Sequence, residues 1–175
     1  MSGINKPKIS YTSRDFQTIK NDLVNYAKVY YWDNTDWVQK GSLIDKQNKN
    51  ISSIDLSDDG NALVCNFYDT QTNVVVLCVF DWNSSSWVQR GNDINIEESF
   101  VGGNICAISG DGNTISYYYS DAQNSTRRIK ILYWNGSSWV NKGPKGSAAT
   151  SLDDLPAPSY VNNQSYLIKL SNDGS

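Results

Sequence analysis

One ten-residue segment, Trp82-Asn83-Ser84-Ser85-Ser86-Trp87-Val88-Gln89-Arg90-Gly91, decides how the rest of the chain is interpreted. It recurs as Trp134-Asn135-Gly136-Ser137-Ser138-Trp139-Val140-Asn141-Lys142-Gly143, and an earlier copy reads Trp32-Asp33-Asn34-Thr35-Asp36-Trp37-Val38-Gln39-Lys40-Gly41. Residues 57–91 align with residues 109–143 at a constant offset of 52 without a gap, and 13 of these 35 positions are identical. Self-similarity at a fixed offset indicates an internal duplication.

A second motif accompanies the first. Ser57-Asp58-Asp59-Gly60-Asn61 returns as Ser109-Gly110-Asp111-Gly112-Asn113, and again as Ser171-Asn172-Asp173-Gly174. Asp-Gly pairs favour tight turns in which the backbone adopts positive φ. The motif therefore predicts three equivalent repeat turns, at Asp59 and Gly60, Asp111 and Gly112, and Asp173 and Gly174.

Each complete repeat is predicted to contain four short strands. The predicted strands are Ile51–Ser57, Ala62–Tyr68, Val74–Trp82 and Ser86–Gln89 in the first repeat, and Ile105–Ser109, Thr114–Tyr119, Arg128–Trp134 and Ser138–Asn141 in the second. A period of about 40–50 residues with several strands is typical of propeller blades. The predicted fold class is all-β with one N-terminal α-helix, in which antiparallel four-stranded, blade-like repeats form an incomplete β-propeller.

The composition also favours strands joined by polar turns. Only 2 of the 18 acidic residues are Glu, and the chain contains 20 Asn and 23 Ser. Such short polar side chains compete for backbone hydrogen bonds and favour turns over helix interiors. Residues 1–29 hold five Lys or Arg against two Asp, so the net charge of −3 divides into +3 there and −6 elsewhere. An acidic main body argues against nucleic acid as a partner.

The two Trp residues of each copy flank a polar turn. The pairs are Trp32 with Trp37, Trp82 with Trp87, and Trp134 with Trp139. A reversal between the two would place the rings on adjacent antiparallel strands, where they could join strands or neighbouring repeats. Indole-lined grooves also bind sugar rings, so contact with a glycan is the alternative to packing.

The repeats set the predicted domain boundaries. These are an N-terminal arm and helix over 1–29, a partial repeat over 30–48, repeats over 49–91 and 92–148, and a linker with the first strand of a further repeat over 149–175. A ring usually needs about four blades or more. We therefore expect the exposed blade faces to pack on copies of the chain or on a partner, unless the chain is truncated.

The N-terminal segment alone has helical periodicity. An apolar stripe at helical spacing predicts an amphipathic docking helix formed by Phe16, Ile19, Leu23 and Tyr26. The stripe continues into residues 29–32, which align with strand residues 79–82. We expect the helix to end near Ala27–Lys28 and the strand to prevail at Trp32.

Two resemblances follow from these motifs. Ser10-Tyr11-Thr12-Ser13-Arg14-Asp15-Phe16, followed by Leu23 and Asn25-Tyr26-Ala27, resembles the opening of baseplate wedge proteins from T4-like contractile-tailed phages, notably those of marine hosts. This resemblance covers about a seventh of the chain and implies a tail-associated location. The repeats resemble tandem propeller-type repeats of marine bacteria and their viruses, which share the Trp-Asx-x-x-x-Trp-Val-Gln-x-Gly core and the Ser-x-Asp-Gly-Asn turn. Where the wedge proteins continue Tyr-Tyr-Pro, this chain has Tyr30-Tyr31-Trp32.

Several kinds of chemistry are disfavoured by the residues present. The chain has no His, which removes the usual catalytic triads and the commonest metal ligand. The adjacent acidic pairs, such as Asp58-Asp59, are typical of turns and not of two carboxyls facing across a cleft. Cys65, Cys78 and Cys106 lack paired metal spacing, so we expect buried reduced thiols, with Cys65 facing Cys78 across a hairpin. No enzymatic activity, cofactor or metal is expected.

The sequence thus favours a non-enzymatic virion structural protein of the tail or baseplate, which presents propeller-type repeats for protein contact. The expected partners are other virion proteins or copies of the chain. The alternative is a carbohydrate-binding or adhesive module that contacts host glycan. Neither a signal peptide nor a membrane-inserting segment is predicted.

Overall fold

The computed structural model describes residues 8–11, 26–47, 49–69, 71–96, 106–121, 126–142, 154–156 and 170–174. Within these ranges the strands are β1 (Lys8–Tyr11), β2 (Ala27–Trp32), β3 (Trp37–Gln39), β4 (Lys49–Leu56), β5 (Ala62–Asp69), β6 (Val75–Trp82), β7 (Trp87–Gln89), β8 (Ile94–Ile96), β9 (Cys106–Ile108), β10 (Thr114–Asp121), β11 (Thr126–Trp134), β12 (Trp139–Asn141) and β13 (Asp154–Pro156). All their pairings are antiparallel. The prediction of an all-β antiparallel architecture is confirmed.

The strands form three sheets. Sheet 1 has the order β1-β2-β3, sheet 2 the order β4-β5-β6-β7, and sheet 3 the order β9-β10-β11-β12. The four strands predicted for each complete repeat are therefore confirmed, with ends shifted by one or two residues. Sheets 2 and 3 each correspond to one repeat, and sheet 1 corresponds to the partial repeat.

Each repeat has an additional pairing that the sequence analysis missed. β8 pairs with the first half of β6, with Ile94 opposite Leu77, and β13 pairs with β11, with Leu155 opposite Ile129. In sheet 1 the same position is an isolated bridge between Ala27 and Ile44. The third strand of each repeat is thus paired over both halves of its outer edge. β8 follows the predicted boundary at residue 91 yet pairs back into sheet 2.

The sheets pack face to face around two apolar clusters. One joins sheets 1 and 2 and consists of Ala27, Val29, Ile44, Leu63, Cys65, Phe67, Val76, Cys78 and Phe80. The other joins sheets 2 and 3 and consists of Ala62, Val64, Val75, Leu77, Val79, Ile96, Cys106, Ile108, Ile115, Tyr117 and Leu132. Because sheet 2 is covered on both faces, the buried parts of β5 and β6 are apolar on both faces, apart from Asn66.

The three thiols are part of these clusters. Cys65 lies directly opposite Cys78 in the β5–β6 hairpin, as predicted, and all three cysteines are buried and free. Burial raises the pKa of the Cys106 thiol to about 12 and that of Cys78 to about 12. The thiols therefore stay protonated and pack as small apolar groups.

One expectation about the N-terminal segment is wrong. The helix was expected to end near Ala27–Lys28, but Ala27 already belongs to β2 and pairs with Tyr11 of the unpredicted strand β1. The strand prevails there because Ala27 and Val29 are fully buried against sheet 2, and the Ala27 N–H donates to the Ile44 carbonyl over 2.8 Å. The predicted strand at Trp32 is confirmed.

The remaining residues of the predicted docking helix cannot be compared with the fold. Phe16, Ile19 and Leu23 lie outside the described residues, and Tyr26 is the residue immediately before β2. The helix therefore stays a prediction. The part of the chain that the structure describes contains no helix long and apolar enough to span a membrane.

Candidate functional site

The indole pairs lie where the motif predicts them. Trp82 is directly opposite Trp87 across β6 and β7, and their ring centroids are 5.5 Å apart. The turn between them closes on the Asn83 side chain, whose Oδ1 accepts hydrogen bonds from the backbone N–H groups of Ser85 and Ser86. The other two pairs repeat this arrangement, at 5.7 Å for Trp32 with Trp37 and 5.4 Å for Trp134 with Trp139.

Sheet 1 contacts sheet 2 through a cation and a glycine that follow β3. The Lys40 ammonium lies over both rings of the Trp82–Trp87 pair, at 5.4 and 5.7 Å from the centroids. It also donates to the Gly60 carbonyl over 2.7 Å and to Asn61 Oδ1 over 2.6 Å. Trp87 Nε1 donates back to the Lys40 carbonyl over 2.8 Å. One basic residue thus joins the indole pair and the Asp-Gly turn of the next repeat.

The same contact recurs one repeat later, between sheets 2 and 3. The Arg90 guanidinium lies 6.0 and 5.5 Å from the ring centroids of Trp134 and Trp139 and donates to the Gly112 carbonyl over 2.9 Å. Trp139 Nε1 donates to the Arg90 carbonyl over 3.1 Å. Arg90 also forms a bidentate ion pair with Asp81 of its own sheet. We call this arrangement the inter-repeat contact. It consists of a basic residue, the glycine that follows it, and the indole pair and Asp-Gly turn of the next repeat.

A glycine is required in the inter-repeat contact because an indole ring covers it. A Cβ on Gly91 (φ +75°) would lie 2.9 Å from Trp134 Cζ3, and one on Gly41 (φ +77°) would lie 2.5 Å from Trp82 Cζ3. Carbon atoms at these distances overlap, so a side chain would force the repeats apart.

A pair of alanine substitutions tests this requirement. Gly136 also has positive φ, at +100°, but a Cβ there would have nothing within 4 Å. We expect Gly91→Ala to lower the free energy of unfolding by about 1–2 kcal/mol more than Gly136→Ala does, because only the former adds an overlap to the backbone strain. Denaturant titration followed by Trp fluorescence measures both. Equal losses in the two variants would contradict the contact.

The repeat turns are built alike and bonded to one another. Asp59 Oδ1 accepts hydrogen bonds from the Ser57 hydroxyl over 2.7 Å and from the Asn61 N–H over 2.9 Å, and Gly60 has φ +68°. The Asp58 N–H donates over 3.0 Å to the carbonyl of Gly110 in the next turn. In the same way, the second and third turns are joined by a 2.8 Å bond from the Asp111 N–H to the Asn172 carbonyl. The predicted turns at Asp59, Asp111 and Asp173 therefore form a connected row.

The pKa of the turn carboxylates makes this row sensitive to acid. Burial acts to raise the pKa of Asp59, but the hydrogen bonds from Ser57 and Asn61 outweigh it and place the pKa below the ordinary value of 3.8. Asp111 has a lowered pKa for the same reasons, with Ser109 and Asn113 as donors. A carboxylate whose pKa is depressed in the folded chain stabilises it above the unfolded pKa, and this contribution is lost as the pH falls through the folded pKa.

We therefore expect the thermal midpoint of unfolding to fall as the pH drops below about 4. Asp111→Asn removes the charge, so its midpoint should be lower than that of the unmodified chain at neutral pH and should change less on acidification. Asp36→Asn, in an exposed turn outside the row, serves as the control. An acid response that is the same in Asp111→Asn as in the unmodified chain would contradict the role of this carboxylate.

Lys142 and the Trp32–Trp37 pair do not form a complete inter-repeat contact within the described residues. Lys142 donates to the Gly174 carbonyl of the third turn, so it repeats half of the inter-repeat contact. Within the described residues no Lys or Arg lies over Trp32 or Trp37, and Trp37 is 40% exposed. Two indole pairs are thus internal to the array, and one is exposed at its edge.

The residues that sequence reasoning missed are the basic ones. Lys40, Arg90 and Lys142 each occupy the ninth position of the Trp segment, and each is followed by glycine. A cation at a fixed position after two aromatic rings was a usable signal, because cations favour the faces of indole rings.

The buried polar side chains without a partner in the described residues do not converge on one site. These side chains are those of Asn66 and Ser116. Asn66 lies on the face of β5 that points toward sheet 3, whereas Ser116 lies on the face of β10 that points away from sheet 2. They therefore do not share a site. No group of three potential metal-ligating side chains occurs within the same residues.

No protein-family model matches the chain, and no curated protein matches it.

Proposed function

We propose that the chain is a non-enzymatic structural protein of a phage virion, associated with the tail or baseplate, whose blade-like repeats form an incomplete propeller and bind protein. The observation that carries the proposal is the inter-repeat contact. The motif residues that recur in every copy bond sheet to sheet through Lys40, Arg90 and their indole partners. Repeat motifs devoted to stacking favour a scaffold whose end faces bind other proteins.

The virion location is supported by the resemblance of residues 10–27 to baseplate wedge proteins. In this proposal, the segment that contains Phe16 and Ile19 docks on the tail apparatus, and the sheets project from it. Mass spectrometry of purified tail particles provides the test. We expect peptides of this chain in stoichiometric amount, at a level that abundant host cytoplasmic proteins do not reach. Particles that lack the chain would overturn the virion assignment.

Glycan binding is the second candidate, and the exposed Trp37 ring is the observation that favours it. The pairs at Trp82 and Trp134 are covered by Lys40 and Arg90, so the Trp32–Trp37 pair is the one described pair open to a sugar ring. On a glycan array we expect any specific binding to be lost in Trp37→Ala and retained in Val88→Ala, which alters a residue that is 47% exposed on the corresponding strand of sheet 2. Specific binding that survives Trp37→Ala would contradict this site.

A further inference from the structure

The outer face of sheet 1 and the outer face of sheet 3 are complementary. Each corresponds to one of the two surfaces that form the inter-repeat contact within the chain. The face of sheet 1 that points away from sheet 2 carries Trp32 and Trp37. In sheets 2 and 3 the corresponding rings receive a basic residue from the preceding repeat. Sheet 1 therefore presents a site for such a residue.

The opposite end presents that basic residue. Lys142 already bonds to Gly174 of the third turn, as Lys40 bonds to Gly60 of the first turn. Beside it, Ile129 and Ile131 lie on the face of sheet 3 that points away from sheet 2, and both are only half-buried. Their counterparts in sheet 2, Leu77 and Val79, are 0% and 1% exposed because sheet 3 covers them. On this face the β11–β12 side of sheet 3 is therefore less covered than the corresponding side of sheet 2.

Sheet 1 and the turn at residues 171–174 also correspond to different parts of one repeat. Within the described residues sheet 1 has counterparts of the second, third and fourth strands of a repeat, since β1 pairs with β2 as β5 pairs with β6. The described residues of sheet 1 include no counterpart of β4 or of the turn that follows β4. The turn at residues 171–174 is such a turn, and it is already bonded to the preceding turn through Asp111.

We propose that a second copy of this chain binds head-to-tail, with sheet 1 of one copy packed on β11 and β12 of the other and with Lys142 over the Trp32–Trp37 pair. The inference rests on the proposed function as a protein-binding repeat and names its partner. The described sheets of two copies would then supply six blade equivalents, namely sheets 2 and 3 of each copy and two composite blades. This number lies within the range of about 4–8 blades found in propellers. A head-to-tail contact that closes on itself gives a finite ring.

Light scattering coupled to size exclusion, across a concentration series, tests the proposal. We expect the unmodified chain to reach twice its monomer mass of 19.6 kDa. Lys142→Glu reverses the charge that lies over the Trp32–Trp37 pair in the dimer, and Trp37→Ala removes one ring of that pair. Each variant alone should therefore remain at the monomer mass. Both residues are exposed, and circular dichroism spectra that match that of the unmodified chain verify folding. Val88→Lys, at another exposed position, should still form the dimer.

A mixture of the two variants gives the decisive result. The Trp37→Ala chain keeps its Lys142, and the Lys142→Glu chain keeps its Trp37, so one intact contact remains between unlike copies. We expect the equimolar mixture to regain the double mass at high concentration. A monomeric unmodified chain, dimers of either single variant, or a mixture that stays monomeric would each overturn the proposal. The virion assignment fails separately, if tail particles lack the chain.

Discussion

Phe67→Ala should lower the free energy of unfolding by about 3–5 kcal/mol, which is the usual range for removing a buried Phe. Phe67 is 0% exposed in the cluster between sheets 1 and 2, and its ring is edge-on to Phe80 with centroids 6.4 Å apart. The substitution leaves a cavity between two sheets that pack face to face. A loss of this size is a large part of the roughly 5–15 kcal/mol by which domains are stable. Urea titration followed by Trp fluorescence measures it.

The matched control for Phe67→Ala is Val88→Ala. Val88 lies on β7 of the same sheet but is 47% exposed, so its truncation should change the unfolding free energy by less than about 0.5 kcal/mol. A loss below about 1 kcal/mol in Phe67→Ala would mean that sheets 1 and 2 do not share a core.

Arg90→Ala should cost about 2–4 kcal/mol. The substitution removes the charged hydrogen bonds to Asp81 and to the Gly112 carbonyl, which are worth about 1.5–3 kcal/mol, and the contact with the rings of Trp134 and Trp139, which adds about 0.5–1 kcal/mol. Because Arg90 is the link between sheets 2 and 3, we also expect faster hydrogen exchange in β9, which packs against sheet 2. Denaturant titration and exchange measured by mass spectrometry give the two quantities.

The chain itself supplies the matched control, since Lys40 occupies the position of Arg90 in the preceding repeat. Arg90→Lys keeps the cation over the rings and the bond to the turn carbonyl but loses the bidentate pairing with Asp81. It should therefore cost less than Arg90→Ala. If the two variants lose equal stability, the Asp81 pair carries the effect and the indole contact does not.

The sequence was sufficient to predict the four strands that form the main path of each complete repeat. The duplication fixed the period of the repeats, and the Asp59-Gly60 and Asn83-Ser84 turns fixed the hairpins. Gly60 accommodates positive φ, and the Asn83 side chain accepts hydrogen bonds from the backbone N–H groups of its turn. The placement of Trp82 opposite Trp87 followed from the turn between them. These features are local, so a single repeat contains the information that specifies them.

The sequence misled where a local pattern competed with a distant contact. Residues 27–32 fit a helical stripe, but burial of Ala27 and Val29 against sheet 2 and the bridge to Ile44 made them a strand. β8 and β13 were missed because three residues are too few to establish a period, and each is a strand only through pairing with a partner far along the chain.

The repeat, its turns and its indole pairs were thus determined by the amino-acid sequence alone, since each depends on neighbours within a few residues. The tertiary structure alone decided what the motifs contact. Arg90 reaches rings some 44–49 positions later in the chain, and Lys40 reaches a turn 20 positions away. Such contacts depend on how one sheet stacks on the next, and the spacing of residues along a strand does not contain that geometry.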